Sequence, residues 1–155
     1  MHRRIDTPLG TLVVEAEASG ITALRWPADE SLAASPPDTA ASQVLDLASR
    51  QLDEYFAGTR QTFDLPLRPV GTPFQLRAWD VLRGIPYGTT ITYGEQARRM
   101  ESPSAVRAIG GANGRNPLGI FVPCHRVVGS DGSLTGFAGG VDRKRWLLDH
   151  ERTNA

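Results

Sequence analysis

The run Pro123-Cys124-His125-Arg126 sets the single cysteine of a 155-residue chain directly beside a histidine and an arginine. Sulfur attacks as thiolate, and a free cysteine, with a pKa of about 8.5, is only a few per cent ionised at neutral pH. A neighbouring imidazole, a guanidinium and turn backbone are the kinds of group that lower that pKa. A lone cysteine is otherwise most often a small buried hydrophobe. The chemical reading therefore depends on what the rest of the chain brings to this sulfur, which is expected at the mouth of a cleft.

Leu118 to Val122 reads as a buried strand that delivers Cys124 at its end, with Asn116-Pro117 just before it. Adjacent side chains of an extended segment point to opposite faces, so His125 need not touch Cys124. Gly129-Ser130-Asp131-Gly132 reads as a hairpin turn and Gly136 to Gly140 as a flexible loop. A final helix is expected from about Val141 to Glu151. Upstream, Thr72-Pro73 opens a helix carrying Phe74, Arg77, Ala78, Val81 and Leu82 at three- and four-residue intervals, and Ile85-Pro86-Tyr87-Gly88 ends it. A short helix from about Tyr93 to Met100 is followed by Ser102-Pro103, which suits a cap and a first helical position. The next helix, Ser104 to about Asn113, carries Ala105, Ala108, Gly110, Gly111 and Ala112. Each helical glycine costs about 1 kcal/mol relative to alanine. That expense makes sense where a ligand, another backbone or a neighbouring helix approaches closely. Two short helices joined by a tight turn, then a strand hairpin and another helix, suggest a winged helix-turn-helix.

The first half reads as a small α/β scaffold without a catalytic constellation. Thr11 to Ala16 and Ile21 to Trp26 form a hairpin, and the Ala/Ser/Pro-rich segment 28–40 a surface loop. Val44, Leu47, Ala48, Leu52, Tyr55 and Phe56 follow helical spacing from about Ala41, with Gly58 as the stop, and Phe63 to Leu67 is expected as a short strand. Pro66, Pro69 and Gly71 mark a linker, dividing the chain into domains 1–70 and 71–155.

Hydrophobic content of 40% and charged content of 22% are those of a globular protein. One cysteine excludes an internal disulfide and a thiolate-cluster zinc site, and three histidines make a structural metal unexpected. No apolar run approaches the roughly 20 residues that span a bilayer, and Met1-His2-Arg3-Arg4 leads into polar sequence, so a cytoplasmic, reducing location is expected. Net charge is zero, but residues 1–70 balance at −4 and residues 71–155 at +4, which suggests a polyanion partner for the second half.

Taken together, Pro123-Cys124-His125-Arg126-Val127-Val128, Phe137-Ala138-Gly139-Gly140, and Arg143-Lys144 leading to His150-Glu151 closely resemble the O6-alkylguanine-DNA alkyltransferases. So do Ile85-Pro86-Tyr87-Gly88, Tyr93-Gly94-Glu95-Gln96-Ala97 and Val106 to Asn113. The match is dense over 72–151 and looser in the first half, through Thr7-Pro8-Leu9-Gly10 and Tyr55-Phe56-Ala57-Gly58. The resemblance implies an α+β protein: a small ribonuclease-H-like α/β domain followed by a helical domain with a winged helix-turn-helix. It implies direct repair, in which Cys124 takes the alkyl group of O6-alkylguanine, and of O4-alkylthymine, from a flipped base in duplex DNA. The product is a thioether, which offers water no carbonyl to attack, so the protein acts once and needs no cofactor.

By the same resemblance, His125 relays the thiol proton through a water and is backed by Glu151, Asn116 holds the cysteine segment, and Tyr93 donates to a guanine ring nitrogen. Arg107 is the finger that fills the space of the extruded nucleotide. Arg126, Ala105, Ala108, Gly110, Gly111 and Asn113 belong to the DNA surface, a helix laid in the minor groove with little sequence preference. Pro123, Val127, Phe137, Ala138 and Gly139 line the base pocket. Phe137 stands where relatives commonly have tyrosine and Ala138 where they often have a hydroxyl residue, so a hydrogen bond to the base edge is lost. No zinc-ligand set is present in the first half, unlike in some relatives. A monomer working at the chromosome, at the nucleoid in a bacterium, is expected.

Three other readings compete. A lesion-binding protein of the alkyltransferase-like type would flip the base without transfer, but such relatives lack the cysteine. A sequence-specific regulator would need base-reading side chains that the small-residue helix does not offer. A cysteine hydrolase would fit a Cys-His-Glu set alone, though no oxyanion-hole signal stands out.

Overall fold

The computed structural model describes residues 1–26 and 36–155, so most of the expected 28–40 loop lies outside the described residues. The described chain separates into two compact units, Met1–Val70 and Gly71–Ala155.

In the first unit, β1 (His2–Thr7), β2 (Gly10–Glu17) and β3 (Gly20–Arg25) form an antiparallel sheet in the order β1-β2-β3. Helix α1 (Thr39–Phe56) packs on this sheet and is capped by Asp38, whose side chain accepts from the Ala41 N–H at 3.1 Å. Leu12, Val13, Val14 and Ile21 from the sheet, with Leu45, Ala48, Leu52 and Tyr55 from the helix, make the core.

Two differences from the sequence reading have clear causes. Strand β1 carries no strand signal of its own, because it is an edge strand, His2-Arg3-Arg4-Ile5-Asp6-Thr7, in which only Ile5 is buried. Segment 63–67 forms one parallel bridge, Leu67 to Ile21, rather than a strand. The Gln51 side chain takes both backbone groups of Asp64 instead, donating to its carbonyl at 3.0 Å and accepting from its N–H at 2.9 Å.

The second unit contains α2 (Pro73–Arg83), β4 (Ile91–Thr92), α3 (Tyr93–Arg99), α4 (Val106–Gly114), a 3₁₀ turn (Cys124–Arg126), β5 (Val127–Val128) and α5 (Val141–Thr153). Thr72 and Gln75 form a capping box on α2, and Thr92 caps α3. Helix α4 begins at Val106 rather than Ser104. Ala105 N–H closes a turn on Ser102 O and the Ser102 hydroxyl bonds Met100 O, so Ala105 stands at the N-cap and no side chain caps the helix.

Residues 118–122 do not form the expected strand. They make a tight turn in which Ile120 has φ of 72° and Val122 N–H bonds Leu118 O. A β-branched residue in the left-handed region is strained. Asn116 ties the segment's two ends together, donating to Val122 O and accepting from Leu118 N–H, both at 2.9 Å. Strand β5 pairs in parallel with β4 (Ile91 with Val127), not with the residues that follow it. The turn at Gly129–Ser133 is present, and 133–140 run on as a loop. The molecule is α+β: a small sheet unit, then a helical unit with a helix-turn-helix made by α3 and α4.

Candidate active site and nucleic-acid interface

Cys124 begins the 3₁₀ turn at the foot of the strained 118–122 segment, and only 4% of it is exposed. The sulfur is thus enclosed rather than set at an open cleft mouth. Burial pushes the thiol pKa up, against the opposing pull of Asn116, Lys144 and the turn backbone. Cys124–His125–Arg126 is helical and not extended, so its adjacent side chains do not point to opposite faces as expected. The turn directs His125 and Arg126 together onto α5.

There they meet Glu151. Its carboxylate accepts from His125 Nε2 at 2.7 Å and from Arg126 Nε and Nη2 at 2.8 and 3.0 Å. Glu151 is 1% exposed, and burial alone would raise its pKa. The His125 and Arg126 contacts outweigh burial and hold it well below the usual carboxylate range. Burial lowers the His125 pKa in spite of Glu151, so the imidazole is neutral and its Nε2–H is the donor to the carboxylate. Nδ1 is then left as a base, and this buried atom has no hydrogen-bond partner among the described residues. A free imidazole lone pair on the residue next to a thiol is the arrangement that removes a thiol proton.

Arg126, expected on the DNA surface, turns inward instead. It is 7% exposed, takes both Glu151 oxygens and donates through Nη1 to Ile85 O at 2.7 Å. A carboxylate this deeply buried requires a cation, and a forked guanidinium satisfies both its oxygens. Asn113, also expected to face DNA, is buried against α3 and exchanges hydrogen bonds with Gln96. Val127 is fully buried in β5 and lines no open surface. Pro123 is buried as well, as the residue capping the 3₁₀ turn.

Tyr93, half-buried at the start of α3, donates its hydroxyl to Thr135 O at 2.8 Å. Gly136, at φ of 67°, lies so close that a Cβ there would come within 2.9 Å of that hydroxyl. The loop is thereby closed down over Tyr93. The Phe137 ring stands edge-on to His125 at 6.5 Å between centroids, with Ala138 exposed and Gly139 half-buried beyond it.

Lys144 was not singled out as a site residue. It is fully buried on α5, donates to Val127 O at 2.6 Å and Thr135 O at 2.8 Å, and stands 5.8 Å over the Tyr93 ring. Burial brings its pKa down to about 8, with Cys124 pulling it back up. The available signal was that it is the only lysine among 17 basic residues.

On α4, Arg107, Ala108 and Gly111 are exposed and Gly110 partly so, while Ile109 and Ala112 face the core; Ala105, expected on the DNA surface, precedes the helix and packs against that core instead. A Cβ at Gly110 would meet nothing within 4 Å, so no part of the described protein requires glycine there. The bare face is open to something outside.

Comparison with known proteins decides which chemistry this geometry serves. Residues 73–153 match the family model described as the 6-O-methylguanine DNA methyltransferase DNA binding domain, and residues 1–69 match its ribonuclease-like domain. The chain belongs to the 6-O-methylguanine DNA methyltransferase family. Among similar members of this methyltransferase family is the methylated-DNA–protein-cysteine methyltransferase of Mycobacterium tuberculosis, 46% identical over 99% of this chain and 93% of that protein. The constitutive enzyme of the same name from Bacillus subtilis is 46% identical over 95% of this chain and 92% of its own length. The fold is similar to that of Mycobacterium tuberculosis OGT in complex with DNA (TM-score 0.89, 46% identity, 99% and 94% of the two chains). It is also similar to the O6-methylguanine DNA methyltransferase of Methanococcus jannaschii (TM-score 0.72, 27% identity, 100% and 95%). Among the described residues, no helix of this methyltransferase is long and apolar enough to cross a membrane. No group of three or more His, Cys, Asp or Glu there could hold a metal.

Proposed function

We infer that this protein repairs DNA by direct reversal, moving the alkyl group of O6-alkylguanine onto its own Cys124. The observation that carries the residue roles is the buried His125–Glu151–Arg126 set beside Cys124, with His125 Nδ1 left free. That nitrogen takes the thiol proton through a water, and Glu151 stabilises the imidazolium that forms. The thiolate then attacks the alkyl carbon in line with O6. The S–C bond forms as the C–O bond breaks, and the electron pair passes into the purine.

Tyr93 donates a proton to a purine ring nitrogen and recovers one from the histidine side, so the thiol proton ends on guanine. To do this its hydroxyl leaves Thr135 O, which stays satisfied by Lys144. Asn116 holds the strained segment that presents the sulfur. The base enters past the 133–140 loop, against Phe137, Ala138 and Gly139. O4-alkylthymine presents the same alkyl carbon on an exocyclic oxygen and belongs to the same substrate class.

The open face of α4 (Ala108, Gly110, Gly111) lies in the minor groove, where small side chains allow close approach, and Arg107 fills the gap left by the flipped nucleotide. Contacts of this kind read backbone and deformability, with little sequence preference. Residues 1–70 serve as a scaffold domain and residues 71–155 carry DNA binding and transfer. The protein works as a monomer in a reducing, cytoplasmic setting, where its thiol stays reduced.

The test is incubation with a duplex containing O6-methylguanine, followed by mass measurement of the peptide bearing Cys124. One added methyl per protein molecule, with no turnover, is the expected result. Unmodified peptide with tight lesion binding would make the protein a sensor. Repeated turnover would make it a hydrolase.

A further inference from the structure

We propose that the buried Gln96–Asn113 amide pair is a positioning device that sets α4 against α3, and so places Arg107 at a fixed spacing from Tyr93. The proposal rests on the roles inferred above for those two residues.

The two amides exchange reciprocal bonds: Gln96 Nε2 donates to Asn113 Oδ1 at 3.1 Å, and Asn113 Nδ2 donates to Gln96 Oε1 at 2.8 Å. A third bond, from Gln96 Nε2 to Ala78 O at 3.2 Å, reaches the backbone of α2. An isolated amide pair could flip both ends and bond equally well. The Ala78 carbonyl accepts only, so it requires the nitrogen of Gln96 on its side and admits one orientation. Neighbouring Ala112 is held as well, its carbonyl accepting from the Trp79 indole at 2.8 Å. Around these bonds lies an apolar cluster of Ala78, Ala97, Met100, Ile109 and Ala112. Small apolar side chains slide over one another at little cost, whereas a misaligned buried amide loses its bonds outright. In some folds a single buried polar group fixes helix register while adding little stability, and this pair has the geometry for that role.

The register matters because of what the two helices carry. Tyr93 begins α3, three residues before Gln96. Arg107 lies six residues before Asn113 on α4, near the other end of that helix. A slip at the crossing moves the finger relative to the hydroxyl that meets the flipped base. In a reacting geometry, a displacement of about 1 Å can cost on the order of a hundredfold in rate.

The test compares the wild type with Gln96→Met, Asn113→Leu and the double variant, which replaces both amides by apolar groups of similar shape. Each is measured for urea unfolding, for transfer from duplex O6-methylguanine, and for transfer from the free O6-methylguanine base. The single variants, each with an orphaned amide, unfold at lower urea, and the double variant recovers. The positioning role predicts that the recovered double variant still loses at least tenfold on the duplex, while its rate on the free base stays within about threefold. Wild-type rates on both substrates in the double variant would reduce the pair to core packing and overturn the proposal. Equal losses on both substrates, tracking stability, would overturn it too. A wild-type protein that transfers from neither substrate would instead overturn the repair reading, and this is seen before any variant is made.

Discussion

Replacing Glu151 with glutamine separates charge from shape at the centre of the site. The side chain is almost fully buried and accepts three short bonds from two donors, His125 and Arg126. A glutamine presents one carbonyl oxygen and one NH2 group, so at least one of the donors faces another donor. Arg126 then remains in the interior without a counter-charge, keeping one bond to the glutamine oxygen and one to the Ile85 carbonyl. Breaking a buried ion pair from one side costs about 3–5 kcal/mol. For a domain of this size, that lowers the unfolding midpoint on the order of 10 °C.

Transfer suffers separately, because the imidazole loses both its orienting acceptor and the charge that stabilises its protonated form. Losses of about 10²–10⁴ are expected in the single-turnover rate, equivalent to roughly 3–5 kcal/mol of barrier. The double variant Glu151→Gln/Arg126→Met distinguishes the two effects. With the unpaired cation gone, its urea midpoint returns most of the way to wild type, while its transfer rate stays low. The ion-pair role is refuted if Glu151→Gln is as stable as wild type. The role of Glu151 in transfer is refuted if the double variant recovers transfer along with stability.

Gly110→Ala and Gly111→Ala add a Cβ where nothing, or only the Arg115 guanidinium at 3.8 Å, stands within 4 Å. Each should raise stability by about 1 kcal/mol yet weaken duplex binding in a mobility-shift titration; unchanged binding would remove α4 from the interface. Arg107→Ala should slow repair in duplex far more than transfer from the free base, and equal losses would end its role as a finger. His125 has a folded pKa below its unfolded one, so on acidification the unfolded chain takes up a proton that the native protein refuses. Unfolding free energy should therefore fall as pH drops below about 6.5, and His125→Gln should flatten that slope between pH 7.5 and 5. A native state that gains stability on acidification in this range would mean that His125 is an imidazolium.

Legibility in the chain varied with the range of the interactions concerned. Helix α2 announced itself through Thr72-Pro73 and its apolar spacing, because caps and periodicity are local. The α3–turn–α4 unit was legible for the same reason. The start of α4 was misplaced, since Ser102 and Pro103 satisfy every local rule for a helix start yet form a turn. The 118–122 segment looked like a strand because five apolar residues in a row suit any buried conformation. What decides its shape is Asn116, which closes it into a turn. The partner of β5 lies 36 residues upstream at β4, a pairing that no local pattern announces.

By itself the chain determined the chemistry on offer: one thiol, a histidine beside it, and a small-residue helix next to an arginine. These are statements about residue types and near neighbours, and they survive any packing. How the charged groups are shared out follows from packing in three dimensions. Two arginines of similar promise took opposite places, Arg107 outward and Arg126 inward, because a buried carboxylate on α5 reached one of them. Asn113 likewise turned to Gln96 rather than to solvent, and the chain's one lysine was enclosed beneath the loop over Tyr93. A polar side chain buried in a fold must find its partner there, and that partner is chosen by three-dimensional proximity, which sequence distance does not encode.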